Sequence, residues 1–447
     1  MRRVLFLAYH FPPVGGAGVQ RSAKFARHLP ELGYEPVVVT GPGPEREDRW
    51  TPEDASLERD LPSGLTILRI PQRRPAPSTG TRARAERWLR VPSPFTAWWT
   101  EGTLELARGA GDVDLVYASL SPYDSAAAAS RIAAQLGRPW VADLRDPWAL
   151  DEMQVHPSRL HQHLERRGMR RSLSSAAALV MNTPEAAARL VAAFPELATK
   201  PIRVIPNGYD AGDFVVPPEP RSDSAFRIVH TGYLHTDLGH DERRRARLRR
   251  VLGGTTQGVD ILARSHVFVL DAIEQVRGEL PGIEIELHLA GIASSADHEA
   301  GRSEAVRFRG YLPHAETVAL MRSADLLFLP MHDLPPGKRA TIVPGKTYEY
   351  LGSGRPVLAA VPDGDARDLL MRIPNAYLTR PRDTAAMATV LRELVRAKQE
   401  HGPAPDARSE LAEPYERKRL SAELGAVFDG VLATVTSPRN PTLAQVG

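Results

Sequence analysis

The sequence lacks cysteine altogether and contains no long apolar run. Without cysteine there is no disulfide, no thiolate nucleophile, no Cys-ligated zinc and no iron–sulfur cluster. A transmembrane helix needs about 18 consecutive apolar residues, and runs such as residues 176–181 are far shorter. The first segment, MRRVLFLAYHFPP, lacks the apolar length and the cleavage site of a signal peptide, so we interpret it as a β-strand and expect a cytoplasmic protein.

Lysine is scarce as well. The 57 basic residues include only six lysines, and against 54 acidic residues they give a net charge of +3. Bulk charge therefore favours no class of partner, and arginine clusters carry little information in so arginine-rich a chain. Residues 243–250 hold six arginines, but no nucleic-acid-binding motif accompanies them, so no nucleic-acid partner is expected.

Alternating strand and helix patterns predict an α/β fold made of two doubly wound, Rossmann-like units. The first unit starts with a strand at residues 4–9, a glycine loop, a helix and a second strand at residues 35–40. A linker rich in Pro, Asp and Ser at residues 210–224 separates it from the second unit, which restarts at residue 227. We therefore predict domains at 1–210 and 211–411, and a disordered tail at 437–447.

Four charged stretches do not fit the alternation. Residues 45–60, 73–88 and 237–258 are predicted to be irregular insertions. Residues 159–174 are rich in arginine and are compatible with contact to an anionic membrane surface. Trp98 and Trp99 would add interfacial anchors to such a surface if they were exposed.

The glycine loop Gly15-Gly16-Ala17-Gly18 lies between the first strand and the first helix. Glycines there let backbone N–H groups approach an anion at the helix N-terminus. NAD would require an acidic residue at the end of the second strand, which instead ends Val37-Val38-Val39-Thr40. The loop thus predicts an anion site that is not for NAD, or else a tight turn without a ligand.

The segment from Lys338 to Val357 contains two of the rare lysines. Pro344 and Gly345 suit the first turn of a helix, where the cation of Lys346 opposes the helix dipole. A bound diphosphate would reverse that penalty. Glu349 lies on the same helix face, and its carboxylate can accept both hydroxyls of a ribose. The alternative is an ordinary surface Lys–Glu pair.

Polar residues follow other predicted strands, at the sheet edge where ligands bind in α/β proteins. They suggest a second, acceptor-side group, with packing, an Asp–Arg pair or an N-cap as the alternative roles. Its members are His10, Ser119, Ser121, Tyr123, Arg145 and Asp146.

Five segments together make the chain resemble a GT-B glycosyltransferase of the large retaining glycosyltransferase family 4 (glycosyl transferases group 1). They are residues 9–21, 140–148, 204–210, 310–313 and 344–357, in the family's order over about four fifths of the chain. The resemblance implies two Rossmann-like domains facing a central cleft. It also implies a last helix, about 412–433, that crosses back to the first domain.

The resemblance assigns the donor nucleotide to the second domain. Glu349 would hold the ribose, Lys346 and Arg264 would face the diphosphate, and backbone near Tyr311 and Leu312 would read the base. Gly16 and Gly18 would approach from the opposite domain. The family often has a carboxylate where this chain has Thr341, and a Gly-Arg pair where it reads Gly232-Tyr233. The predicted donor-binding set is Gly16, Ala17, Gly18, Gly232, Tyr233, Tyr311, Leu312, Thr341, Pro344, Gly345 and Glu349.

The expected function is retaining transfer of a sugar from a nucleoside diphosphate sugar, with a UDP-sugar favoured, to a small-molecule or lipid-linked acceptor. Neither a cofactor nor a metal is expected, since fixed cations can stabilise the leaving diphosphate. The predicted catalytic residues are Lys346, Arg264, Asp146 and His10. The alternatives are a catalytically degenerate nucleotide-sugar-binding partner subunit and a GT-B sugar-nucleotide epimerase.

Overall fold

A computed structural model describes residues 1–44, 52–89, 91–405, 407 and 410–436 of the chain. The predicted disordered tail at 437–447 and the first part of the 45–60 stretch lie outside these residues. Two parallel β-sheets with helices on both faces make up the fold, so the prediction of an α/β, GT-B architecture with two doubly wound units is confirmed. The boundary between residues 210 and 211 stays a prediction.

The first sheet has seven parallel strands in the order β3-β2-β1-β4-β5-β6-β7. Helices cover both of its faces, so its central strands are apolar on both sides: every side chain from Val4 to Leu7 is buried. The strands are β1 Arg2–Leu7, β2 Tyr34–Thr40, β3 Thr66–Arg69, β4 Leu115–Ser119, β5 Trp140–Leu144, β6 Ala178–Met181 and β7 Ile202–Val204. The helices are α1 Ala17–His28, α2 Gly80–Leu89, α3 Pro94–Gly109, α4 Ser125–Leu136, α5 Arg159–Leu173 and α6 Pro184–Ala193.

The second sheet has six parallel strands in the order β10-β9-β8-β11-β12-β13. The strands are β8 Phe226–Thr231, β9 Ile285–Ala290, β10 Val306–Gly310, β11 Leu326–Pro330, β12 Val357–Ala360 and β13 Ala376–Thr379. The helices are α7 Thr236–Leu252, α8 Val267–Glu279, α9 Ser295–Ala300, α10 His314–Arg322, α11 Gly345–Ser353, α12 Asp365–Leu370 and α13 Thr384–His401.

The strand orders place a topological switch point in each sheet. In the first sheet the chain reverses its winding between β1 and β4, and in the second sheet between β8 and β11. A crevice opens at the carboxyl ends of two such strands because their loops leave in opposite directions. Several predicted site residues lie in the loops that follow these four strands, namely His10, Gly16, Ser121, Tyr123, Gly232, Tyr233, Thr341 and Pro344, whereas Arg145 and Asp146 follow β5 and Tyr311 and Leu312 follow β10.

The last helix, α14 Arg417–Thr436, lies beside the first sheet although it follows the second in sequence. Its apolar residues Leu420, Leu424 and Phe428 are buried in the same cluster as Phe6 and Phe25. The sequence predicts this helix at about 412–433, and the structure has it a few residues later. The residues before it form a short 3-10 helix, Glu410–Tyr415.

Two of the predicted irregular stretches are partly helical, so that interpretation is wrong for them. Helix α7 occupies most of 237–258, and α2 occupies the end of 73–88. These segments have no apolar stripe, and we took their high charge as a sign of irregular structure. Arginine, alanine and glutamate are nevertheless strong helix formers. Across the described ranges, none of the helices has the length and hydropathy needed to cross a bilayer.

Candidate active site

Lys346 and Gly232 meet between the carboxyl ends of β8 and β11. Gly232 follows β8 with a φ of 99°, a conformation that favours glycine. A β-carbon at this position would lie 3.0 Å from the Lys346 Nζ. This chain has Tyr233 at the position of the arginine in the Gly-Arg pair. A different basic group, the Lys346 amine, reaches the same loop from the start of α11.

His230, the next-to-last residue of β8, orients this lysine. The Lys346 amine donates to Nε2 of His230 at 3.1 Å, while the Nδ1–H of the imidazole donates to the Phe328 carbonyl at 3.0 Å. Burial, with the nearby Lys346 cation, lowers the pKa of His230 well below its usual value, so the ring is neutral and Nε2 accepts. We did not predict His230, because a histidine inside an apolar strand ordinarily indicates packing.

Arg264 is the second cation at this position. Burial lowers the pKa of Lys346 to about 7, with a further contribution from Arg264, and burial likewise lowers the pKa of Arg264. Lys346 contacts the neutral His230 imidazole, and the Arg264 guanidinium lies 3.8 Å from the Met153 thioether. The carboxyl groups of Asp146 and Asp151 are near enough to act on Arg264 through their charge. A bound dianion would relieve the cost of burying both charges together.

The N-terminus of α11 points its backbone N–H groups into the same region, as no side chain caps it at Pro344. Glu349 lies one turn further along this helix and stays 15% exposed. One of its oxygens is 3.6 Å from the Arg417 guanidinium, which is also paired with Asp210 at 2.9 Å. Glu349 is thus a partly accessible carboxyl group close to the cation pair.

The glycine loop of the first domain contacts the second domain directly. A β-carbon at Gly15 would overlap the Tyr311 hydroxyl, which donates to Asp54 at 3.3 Å. Gly16 has a φ of 91°, and a β-carbon there would lie 3.7 Å from the Tyr233 hydroxyl. At Gly15 the close approach requires a residue without a side chain, and at Gly16 the positive φ favours glycine. Leu312 is partly buried beside these groups, and Ala17 begins α1.

On the acceptor side, Arg145 and His10 border the glycine loop. Arg145 donates to the Gly18 carbonyl, and a β-carbon at Gly18 would lie 3.9 Å from the His10 ring. Asp146 is exposed. The buried Asp–Arg pair that we considered for Asp146 is formed instead by Asp143, which accepts two hydrogen bonds from Arg21 at 2.8 and 2.9 Å.

Tyr123 and Ser121 follow β4, and Ser119 is its last residue. The Tyr123 ring stacks on Trp148 with centroids 4.8 Å apart and an angle of 3°, and Ser121 is partly exposed. Ser119 is 1% exposed, and its place in an acceptor pocket stays a prediction.

Thr341 lies where the second domain contacts the first, and its place in the donor-binding set stays a prediction. It is 1% exposed, and both its backbone N–H and its hydroxyl donate to Glu152, at 2.9 and 2.5 Å. Glu152 additionally accepts from His332 at 3.1 Å and from Arg189 at 3.0 Å. A carboxylate from the first domain thus holds the segment that leads into α11, and no local pattern of residues predicts this contact.

Asp151, the residue before Glu152, is a second carboxyl group that we did not predict. Burial and the neighbouring Glu152 raise its pKa to about 7, although it accepts a hydrogen bond from the Met153 N–H at 2.8 Å. It is close enough to Arg264 and Asp146 for their charges to affect it. Within the described part of the chain, no group of three or more His, Asp or Glu residues is arranged to hold a metal ion.

A pocket of about 760 Å³ lies elsewhere, at the amino ends of β8, β9 and β11. Its charged residues are largely paired with one another, as in the ion pairs of Asp325 with Arg221 at 2.9 Å and with Lys398 at 2.7 Å. Ligands of doubly wound sheets bind at the carboxyl ends of the strands. We therefore place the site in the cleft and not in this pocket.

Two family models match the chain. Residues 15–208 match the glycosyl transferase 4-like domain, and residues 261–397 match the glycosyl transferases group 1 domain. A comparison with curated protein sequences found no match.

Solved structures with a similar fold cover nearly the whole chain. Sucrose-phosphate synthase from Thermosynechococcus elongatus has 13% identity and a TM-score of 0.62 over 97% of this chain and 100% of that one. HepE from Anabaena in complex with UDP and glucose has 16% identity and a TM-score of 0.60, over 96% and 100%. A UDP-N-acetylglucosamine 2-epimerase described as putative, from Listeria monocytogenes, has 14% identity and a TM-score of 0.55, over 99% of both chains.

Proposed function

The chain belongs to the GT-B glycosyltransferases with a group 1 domain, and from this we propose that it transfers a sugar from a UDP-sugar to a small-molecule or lipid-linked acceptor, with retention and without a metal. The observation that carries the proposal is the convergence of Lys346, Arg264 and the uncapped N-terminus of α11 on one point of the cleft. HepE has been solved with UDP-glucose, which supports a UDP-sugar as the donor.

In the proposed reaction, the bond between the anomeric carbon and the β-phosphate oxygen breaks while the acceptor oxygen attacks from the same face. The acceptor proton passes to the leaving phosphate oxygen. Negative charge grows on that phosphate, and Lys346 and Arg264, fixed by burial, stabilise it without reorganising. Lys346, Arg264 and the N–H groups at the start of α11 are in place before the donor binds. In the proposed reaction they stabilise the leaving phosphate as a divalent cation does in other transferases.

Glu349 is proposed to hold the ribose hydroxyls. We expect Glu349→Ala to weaken UDP binding about 10- to 100-fold, the cost of losing hydrogen bonds to a charged acceptor. Folding should be little affected, because Arg417 keeps its pair with Asp210. Titration calorimetry with UDP, GDP, ADP and dTDP, with EDTA present, measures both this loss and the preference for the base.

The controls for this titration are Glu349→Gln, which keeps one acceptor oxygen and should lose less affinity, and Glu316→Ala on the exposed surface of α10, which should bind as the wild type does. Undiminished UDP affinity in Glu349→Ala would place the ribose elsewhere. A degenerate partner subunit would bind UDP-sugar but release no UDP with any acceptor, so a turnover assay separates that alternative from the proposed enzyme.

A further inference from the structure

Four apolar side chains are exposed close together on the first domain, at the end of α2 and the start of α5. The Trp88 carbonyl accepts a hydrogen bond from the His161 ring at 3.0 Å, and the two rings pack edge to face at 5.6 Å. This contact fixes the end of α2 against α5. The exposed side chains are Trp88 (48%), Leu89 (76%), Val91 (41%) and Leu160 (63%).

Cations surround this apolar group. The 3.6-residue period of α5 places its exposed basic residues on one face, and α2 adds three exposed arginines. The acidic residues of the two helices are engaged: Glu86 pairs with Arg82, and Glu165 accepts from the Trp148 indole at 3.0 Å. The basic residues are Arg159, His163, Arg166, Arg167, Arg170 and Arg171 of α5, and Arg82, Arg84 and Arg87 of α2.

The arginine-rich helix α7 of the second domain ends beside the same place. The His156 N–H donates to the Gly254 carbonyl at 2.8 Å, and Gly253 lies against the Arg159 side chain. Arg244 and Arg245 on α7 are exposed and share one carboxylate, Asp241, at 3.5 and 3.1 Å. Val251 is 84% exposed. Basic and apolar residues from three helices thus share one side of the molecule.

We propose that this basic–apolar surface, formed by α2, the following Val91, α5 and the end of α7, docks the protein on an anionic lipid bilayer. Apolar side chains would enter the interface between headgroups and acyl chains, and the arginines would pair with lipid phosphates. A second copy of the chain is a poor occupant, because a symmetric contact would bring arginine against arginine. The charge of the surface is complementary to an anionic membrane and not to itself.

The position of Trp98 and Trp99 corrects the anchors suggested by the sequence. Trp99 is 0% exposed, and Trp98 is packed against the first sheet's core. Trp99 belongs to the interior and Trp98 is only partly exposed, whereas Trp88, ten residues earlier, has the exposure that an interfacial anchor requires.

Helix α5, which forms part of this surface, also contacts the acceptor side of the cleft through Trp148. Trp148 stacks on Tyr123 and donates its indole N–H to Glu165 of α5. If the proposed function is correct, this placement favours a lipid-linked acceptor over a soluble one. Membrane binding itself does not depend on that function.

Cosedimentation of the full chain with vesicles tests the proposal. We expect binding to phosphatidylcholine vesicles containing phosphatidylglycerol, and little binding to phosphatidylcholine alone. Leu89→Ser with Leu160→Ser, and separately Arg166→Glu with Arg167→Glu, should each lower partitioning about tenfold or more. The control for the apolar pair is Val215→Ser with Met371→Ser, at positions that are 80% and 66% exposed. The control for the arginine pair is Arg372→Glu, just after α12, with Arg419→Glu on α14, and both of these arginines are exposed.

The proposal would be overturned if both control pairs lowered partitioning as much as the test pairs do. It would also be overturned if the wild-type chain did not bind anionic vesicles. Self-association in the ultracentrifuge that the Leu89 and Leu160 variant abolishes, without vesicle binding, would assign the surface to a second copy. UDP affinity, measured on the same samples, separates failure of this proposal from failure of the proposed function.

Discussion

Replacing Lys346 with alanine is expected to lower kcat for sugar transfer about 10²- to 10³-fold. This is the typical loss when one preorganised donor to a developing negative charge is removed. Lys346 is held by His230 at 3.1 Å beside Gly232, so its position does not depend on bound substrate. The measurement is the rate of UDP release from a UDP-sugar with a competent acceptor, under saturating conditions.

Lys338→Ala is the matched control, because this exposed lysine lies in the same segment and only donates to the Gln257 carbonyl. It should keep wild-type kcat. Burial makes the charge of Lys346 costly to the folded state, so Lys346→Ala should not lose stability through electrostatics. A Lys346→Ala enzyme with unchanged kcat would remove the lysine from the mechanism.

The lowered pKa of Lys346 gives this prediction a pH dependence. Free protein carries the neutral amine above its pKa of about 7, whereas a bound diphosphate favours the ammonium form. UDP binding between pH 7 and 9 should therefore take up a proton, and affinity should fall as the pH rises. Calorimetry in two buffers of different ionisation enthalpy measures this uptake, which should disappear in Lys346→Ala.

Replacing Glu152 with alanine should lower the free energy of unfolding by about 3 to 5 kcal/mol, the usual cost of breaking a buried ionic group by removing one partner. His332 is 0% exposed and would lose its acceptor, as would the Thr341 backbone N–H. Because these contacts join the two domains, we also expect the thermal transition to separate into two. Differential scanning calorimetry measures both effects.

Acid should erase the difference between this variant and the wild type. Hydrogen bonds from His332 and Thr341 lower the pKa of Glu152 to about 2 despite its burial. Its contribution is complete above the ordinary glutamate pKa and is lost as the pH falls from about 4.5 towards 2. Glu304→Ala, whose side chain is 94% exposed, should change stability by less than about 0.5 kcal/mol at any pH. Equal stability of the two variants at pH 7 would refute the coupling.

That Lys346 and the Gly232 loop come together could be predicted because the signals are local. A strand followed by glycine and then by a helix marks a ligand loop wherever it occurs, and Gly232 and Lys346 both follow strands that become neighbours. Lys346 was also conspicuous for its rarity and its unfavourable place in a first helical turn. Such features need no knowledge of the tertiary structure.

His230 and Glu152 escaped prediction because their partners are distant in sequence. Glu152 contacts His332 and His230 contacts Lys346 across 180 and 116 positions. The contact of the Thr341 hydroxyl with Glu152 could not be predicted either, because 189 positions separate the two residues. Pairings of this kind follow from the tertiary structure, within one domain for His230 and between the domains for Glu152, and no local pattern encodes them.

A crystal structure of the chain with UDP, grown in the presence of EDTA, tests the central claim most directly. We predict the β-phosphate within hydrogen-bond distance of Lys346 Nζ and facing Arg264, with the ribose hydroxyls on Glu349. A diphosphate out of reach of both cations, or UDP bound instead in the pocket lined by Arg221, Arg355 and Lys398, would contradict it.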